Sequence, residues 1–141
     1  EDLWLLSTGT AIGPFISILE TPLLEIRFKN IVLVHAVRTQ SELIYQERIQ
    51  QLFNRYNKRF HYVPIVSREH VTGTLCGRIP TLLLNRELEK RAQCQLSKAH
   101  SFLYICGNPN MVKDTSDALK ELGFNKHLRR KLGQFSSENY W

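Results

Sequence analysis

Apolar residues along this chain follow two rhythms, short continuous runs and helical spacings, and the two alternate. Leu3-Trp4-Leu5-Leu6 is an apolar run closed by Ser7-Thr8-Gly9-Thr10-Ala11-Ile12-Gly13-Pro14. A short helix through Phe15, Ile16 and Leu19 follows, and Thr21-Pro22 stops it, because a residue before proline disfavours helical backbone. Ile31-Val32-Leu33-Val34-His35-Ala36 has the β-branched density of a strand buried on both faces. Tyr45, Ile49, Leu52, Phe53 and Tyr56 then fall on one face of a helix. Phe60 to Val66 reads as a third strand, and Pro64 within it marks a sheet edge. Phe102 to Cys106 is a fourth strand, leading into Gly107-Asn108-Pro109, where Asn108 can cap a helix and Pro109 suits its first position. That helix carries Met111, Thr115, Ala118, Leu119 and Leu122 on one face, with Gly123 at its end. Residues 67–100 are less regular, with one short helix near Thr81–Leu84.

Strand, helix, strand, helix with short connections implies parallel strands joined by right-handed crossovers. The expected fold is a small doubly wound α/β domain, Rossmann-like, with helices on both faces of a parallel sheet. A chain of 141 residues and 16.5 kDa has room for one such domain, residues 1–141. Ligands of these sheets bind at the carboxyl ends of the strands.

Composition narrows the classes further. With 43% hydrophobic and 23% charged residues the chain is neither disordered nor fibrous. No apolar run approaches the roughly 20 residues of a membrane-spanning helix, so no membrane partner is expected. Cys76, Cys94 and Cys106 cannot all pair, and none forms Cys-x-x-Cys, which argues against a disulfide framework or zinc site. Free thiols point to a reducing compartment, hence the cytoplasm. The net charge of +6 favours an anionic partner: nucleotide phosphates, nucleic acid or an acidic protein. The only methionine is Met111, so Glu1 is no ordinary translation start, and no signal-peptide pattern stands there either. The expectation is a piece of a longer protein, cut at a domain boundary.

The strand ends hold the candidate chemistry. Small residues in Ser7 to Pro14 let a ligand approach the backbone, although the stretch is neither Gly-x-Gly-x-x-Gly nor a Walker loop. On this stretch alone phosphate binding and a plain tight turn are evenly matched. The second strand ends in Arg38, where a dinucleotide fold selective for NAD usually carries an acid. The third ends in Val66-Ser67-Arg68-Glu69, and Gly77-Arg78-Ile79-Pro80 adds another arginine. Arginine forks match phosphate oxygens, and Arg38, Arg68 and Arg78 with Ser67 on one rim make a phosphate site. At the fourth end Cys106 could face a planar ring or be a small buried hydrophobe. The five histidines have no metal-ligand spacing, and neither Ser-His-Asp nor Gly-x-Ser-x-Gly is present, so no metal and no hydrolase chemistry is expected.

Together these stretches resemble the NADP-binding half of the ferredoxin–NADP reductase superfamily, most nearly the bacterial ferredoxin (flavodoxin)–NADP reductases. The resemblance rests on Leu3 to Pro14, Arg27 to Arg38, Val66 to Glu69 and Gly77 to Pro80. Further on it rests on Cys106-Gly107-Asn108-Pro109-Asn110-Met111-Val112, Lys126-His127-Leu128-Arg129-Arg130 and the terminal Glu138-Asn139-Tyr140-Trp141. It implies a two-domain flavoenzyme in which hydride passes between NADP(H) and FAD, and single electrons pass to or from ferredoxin or flavodoxin. Carried over by position, Thr8, Gly9, Ala36, Val37 and Arg38 lie along NADP, Ser67, Arg68 and Arg78 clamp its 2′-phosphate, and Asn108, Pro109 and Asn110 form a loop over the dinucleotide. Thr10, Tyr140 and Trp141 correspond to residues touching FAD. By the same resemblance Cys106 matches a cysteine bordering the nicotinamide in plant-type relatives, and Glu138 corresponds to the carboxylate near their end. The flavin-domain signature Arg-x-Tyr-Ser/Thr is missing, so the flavin barrel is expected upstream and this half alone is expected to be inactive. A monomer is expected. The competing readings are the NAD(P)-binding half of another flavin reductase, such as an oxygenase reductase component, and a nucleic-acid-binding domain built on the Lys126–Lys131 cluster. The cluster lacks interleaved exposed aromatics, which weighs against nucleic acid.

Overall fold

The computed structural model describes residues 1–21 and 27–140. Five parallel strands form one sheet: β1 (Asp2–Thr8), β2 (Asn30–Val37), β3 (Phe60–Val66), β4 (Ser101–Gly107) and β5 (Phe135–Asn139). Their order across the sheet is β3-β2-β1-β4-β5. Helices α1 (Ile12–Leu19) and α2 (Gln46–Tyr56) cover one face. Helices α3 (Ile79–Leu84), α4 (Glu87–Ala92) and α5 (Pro109–Glu121) cover the other. The expected doubly wound α/β domain is therefore the observed one.

Each central strand feeds both faces because successive side chains alternate. Leu3 and Leu5 of β1 pack with Phe15, Ile16 and Leu52, whereas Trp4 and Leu6 pack with Ile79, Leu83 and Leu119. Burial on both sides explains why the strands of the sheet centre read as near-continuous apolar runs. Pro64 does lie on an edge strand. Outside it, Leu75 donates to the Pro64 carbonyl at 3.0 Å and accepts from the Val66 amide at 2.9 Å, which covers part of that edge.

Three local features differ from the sequence reading. Tyr45 precedes α2 with φ 64° and is exposed, while Phe53 meets Phe60 edge-on at 4.8 Å near the surface. The buried face of α2 is therefore Ile49, Leu52 and Tyr56. Helix α4 escaped the sequence reading because only Leu88 and Ala92 are buried within its 6 residues. Strand β5 escaped it because Phe135-Ser136-Ser137-Glu138-Asn139 holds a single apolar residue, and backbone pairing with Leu103 to Gly107 makes it a strand. Pro22, expected to stop the first helix, lies outside the described residues; α1 ends at Leu19.

Candidate functional site

The chain crosses to β2 and β3 on one side of β1 and to β4 and β5 on the other. The carboxyl ends of β1 and β4 thus flank a topological switch point, where a crevice opens between diverging connections. A cleft of about 680 Å³ occupies it. Its walls come from the ends of β1 (Thr8, Gly9, Thr10) and β2 (Ala36, Val37, Arg38), together with Glu42, Ser67 and Arg68. Gly77, Arg78, Ile79 and Pro80 before and within α3, and Asn108, Asn110 and Met111 at α5, complete them.

Backbone pairing brings the basic residues together. The β2–β3 ladder continues past both strands: the Ser67 amide donates to the Val37 carbonyl and the Arg68 amide to the Arg38 carbonyl, each at 2.9 Å. Glu69 Oε1 accepts from the Gln40 amide at 2.7 Å, tying the loop after β2 to the end of β3. Arg78 caps α3 with extended backbone, preceded by Gly77 at φ +135°, a conformation that side chains rarely adopt. Its guanidinium lies 3.9 Å from the Asp114 carboxylate, an exposed pair that contributes little. Arg38 and Arg68 make no ion pair among the described residues, and both are exposed. Three guanidiniums thus project into or beside one cleft whose single lining carboxylate is Glu42.

Glu42 is bonded chiefly within its own loop. Its Oε1 accepts from the Thr39 amide at 3.0 Å and from Thr39 Oγ1 at 3.1 Å, completing a capping box. The Thr39 hydrogen bonds, with a smaller contribution from Arg38, hold its carboxyl below the usual range.

On the opposite wall the cleft is shaped by close approach. A Cβ on Gly107 would come within 2.7 Å of both Met111 Sδ and Thr8 Oγ1. Asn108 Oδ1 accepts from the Met111 amide at 2.9 Å, so the expected cap of α5 is present and fixes Asn110 and Met111 at the rim. The buried Thr8 hydroxyl oxygen has no hydrogen-bond partner among the described residues. Beneath the β1 turn, fully buried His35 bonds through Nε2 to the Gly9 carbonyl at 2.8 Å. Burial holds this imidazole's pKa below its ordinary value.

Eleven of the sequence-derived site residues therefore share one cleft: Thr8, Gly9, Thr10, Ala36, Val37, Arg38, Ser67, Arg68, Arg78, Asn108 and Asn110. Pro109 opens α5 but is not part of the wall. Cys106 is 3% exposed among apolar residues of the α1–α2 face, away from the lining, and burial pushes its thiol pKa up. Glu138 stands opposite Cys106 in the β4–β5 register, and burial together with the Glu138 carboxylate pushes the Tyr104 phenol up to about 12. Tyr140 is partly exposed, and its amide donates to the Gly107 carbonyl at 2.7 Å, which pins the tail beside the end of β4. Trp141 lies outside the described residues. The wall also holds Glu42, Gly77, Ile79, Pro80 and Met111, which the sequence did not single out as site residues; Thr39-x-x-Glu42 is a legible capping box, whereas Met111 read only as part of the apolar face of its helix. No group of three or more metal-ligating side chains gathers among the described residues. No helix among them is long and apolar enough to cross a membrane.

Comparison with known proteins gives a coherent answer. Residues 5–117 match the family model of the oxidoreductase NAD-binding domain. The flavodoxin/ferredoxin–NADP reductase of Buchnera aphidicola (subspecies Schizaphis graminum) is 48% identical, covering 100% of this chain and 55% of its own length. The Escherichia coli K12 protein of the same name is 46% identical, covering 100% of this chain and 57% of its own. A crystal structure of a ferredoxin NADP+ reductase from Neisseria gonorrhoeae with bound FAD and NADP superposes with a TM-score of 0.92 at 38% identity. That match covers 99% of this chain and 56% of the other. The chain spans about half the length of the curated relatives it matches. A switch-point cleft at the ends of parallel strands, and a family match over most of the sequence, lead to one conclusion: the chain belongs to the oxidoreductase NAD-binding domain family.

Proposed function

We propose that this chain is the NADP(H)-binding half of a flavodoxin/ferredoxin–NADP reductase. The observation that carries the reading is the convergence of Arg38, Ser67, Arg68 and Arg78 on one cleft at the switch point. A 2′-phosphate carries a charge that an NAD ribose lacks, and guanidinium forks bind such a group by short, charge-assisted hydrogen bonds. The cleft suits the rest of a dinucleotide as well. Gly107 leaves room where a Cβ would strike Met111 and Thr8, and the buried Thr8 hydroxyl still wants a partner.

Bound NADPH supplies a hydride, and FAD held mainly by the remainder of the enzyme takes it up. The residues of this half bind and orient. Arg38, Ser67, Arg68 and Arg78 hold the 2′-phosphate end, Ala36 and Val37 border the adenosine, and Thr8 and Gly9 approach the nucleotide backbone. Asn108, Pro109 and Asn110 cover it. The resemblance alone assigns Cys106, although it is buried away from the cleft lining, and Glu138 to the nicotinamide end, and Thr10, Tyr140 and Trp141 to the FAD. Ferredoxin or flavodoxin, both acidic carriers, docks against the whole enzyme in the cytoplasm, with exposed Lys126, Arg129, Arg130 and Lys131 contributing from this side.

Affinity chromatography on immobilised adenosine 2′,5′-bisphosphate tests the reading. The chain is retained in moderate salt and elutes with NADP+ but not with equimolar NAD+. Elution by salt alone, with no preference between the two nucleotides, refutes it.

A further inference from the structure

His35 belongs to no wall of the cleft, yet it is the buried polar group nearest the β1 turn in bonding terms. It shares the β2 face of Ile31 and Leu33, which packs under α1 and α2. A carbonyl oxygen can only accept, so the 2.8 Å contact to Gly9 places the proton on Nε2. The other ring nitrogen, Nδ1, is buried without a partner among the described residues. A structure that leaves one nitrogen unpaired in order to bond one backbone carbonyl is holding that carbonyl in place.

The direction of that carbonyl matters. Gly9 sits at φ 55°, and no described peptide bond is cis. In a trans peptide the C=O and the N–H point in opposite directions. Drawing the Gly9 carbonyl down onto the His35 ring therefore turns the amide of the same peptide, that of Thr10, away from the sheet. Thr8, Gly9 and Thr10 all line the cleft, whereas His35 does not.

The geometry points to His35 as a positioning residue that aims the Thr10 N–H at the diphosphate bridge of the bound dinucleotide. This rests on the reading of the cleft as a dinucleotide site, and it divides that site in two. The arginines and Ser67 govern the 2′-phosphate end, and His35 governs the bridge through Thr10.

The two ends separate experimentally with two probes, NADP+ and adenosine 2′-monophosphate, which has the 2′-phosphate but no diphosphate bridge. Binding of both to this chain is measured by titration calorimetry. His35→Leu removes the imidazole donor at similar volume, and Thr10→Pro removes the amide itself. Each weakens NADP+ about tenfold, the size expected for one charge-assisted hydrogen bond, and leaves adenosine 2′-monophosphate within twofold. His35→Gln, which keeps an N–H, recovers part of the loss. A merely structural role for His35 would weaken both probes alike. Equal loss for both, or no loss in Thr10→Pro, overturns the inference while the unaltered chain still binds NADP+. If the unaltered chain binds neither probe, the dinucleotide reading fails and the inference fails with it.

Discussion

The Arg68 amide donates to the Arg38 carbonyl at 2.9 Å, one step beyond the last paired residues of β2 and β3. Two arginines 30 positions apart in sequence are thereby neighbours by backbone bonding alone. Their guanidiniums stay exposed and make no ion pair among the described residues, which leaves them available to an anion. Arg68→Ala removes one fork and leaves the ladder intact. Affinity for NADP+ should fall roughly tenfold to a hundredfold, about 1.5–3 kcal/mol, while that for NAD+ changes little. Parallel calorimetric titrations of the variant with both nucleotides check this.

Gly107 separates binding from stability. A methyl there must displace Met111 Sδ and Thr8 Oγ1, both ends of side chains on the cleft wall. Since neither is backbone, Gly107→Ala should lower the thermal midpoint by only a few degrees, consistent with overpacking of about 1 kcal/mol. Nucleotide affinity should suffer more. Thermal unfolding with and without NADP+ compares the two effects directly.

Buried His35 makes stability depend on pH in a definite direction. Its folded pKa is lowered by desolvation, with the Gly9 bond and Glu42 opposing more weakly, and His61 is lowered in the same way. The unfolded chain therefore takes up protons that the folded chain resists. The stability this gives is fully present above the unfolded value of about 6.5 and is lost as pH falls from there through the folded values. Urea unfolding should show little change between about pH 7 and pH 8 and a decline toward about pH 5. His35→Gln should flatten part of that decline.

The carboxyl-terminal hairpin is the exposed basic feature. Lys126, Arg129, Arg130 and Lys131 surround Leu128 and Leu132, which are 53% and 85% exposed. If the proposed reductase reading holds, carrier reduction by the full-length protein should slow as ionic strength rises, because exposed charges steer association and salt screens them. Reversing Arg129 and Arg130 to glutamate should lower the rate several-fold at low salt and flatten its salt dependence. Stopped-flow reduction of ferredoxin and flavodoxin across a salt series reads both effects.

The parts of the fold legible in sequence were those whose chemistry is local. β2 announced itself through Ile31 to Val34, and α5 through Asn108, Pro109 and its apolar face, because burial on both sides or a cap leaves a direct trace. Pro64 identified an edge by its missing donor. What stayed hidden depends on partners distant in sequence. β5 exists because β4 offers a free edge, and Tyr45 leaves the α2 face because the backbone turns left-handed before the helix begins. The site divided in the same way. Arg38, Ser67, Arg68 and Arg78 could be named from strand ends, whereas the His35–Gly9 bond spans 26 positions and only the folded chain reveals it.

Titration of the unaltered chain with NADP+ and NAD+ under identical salt tests the proposed selection of NADP(H) by the arginine-lined cleft. Such selection requires a dissociation constant for NADP+ at least about tenfold lower than for NAD+, with the difference shrinking as salt rises. Equal affinities for the two nucleotides would contradict it.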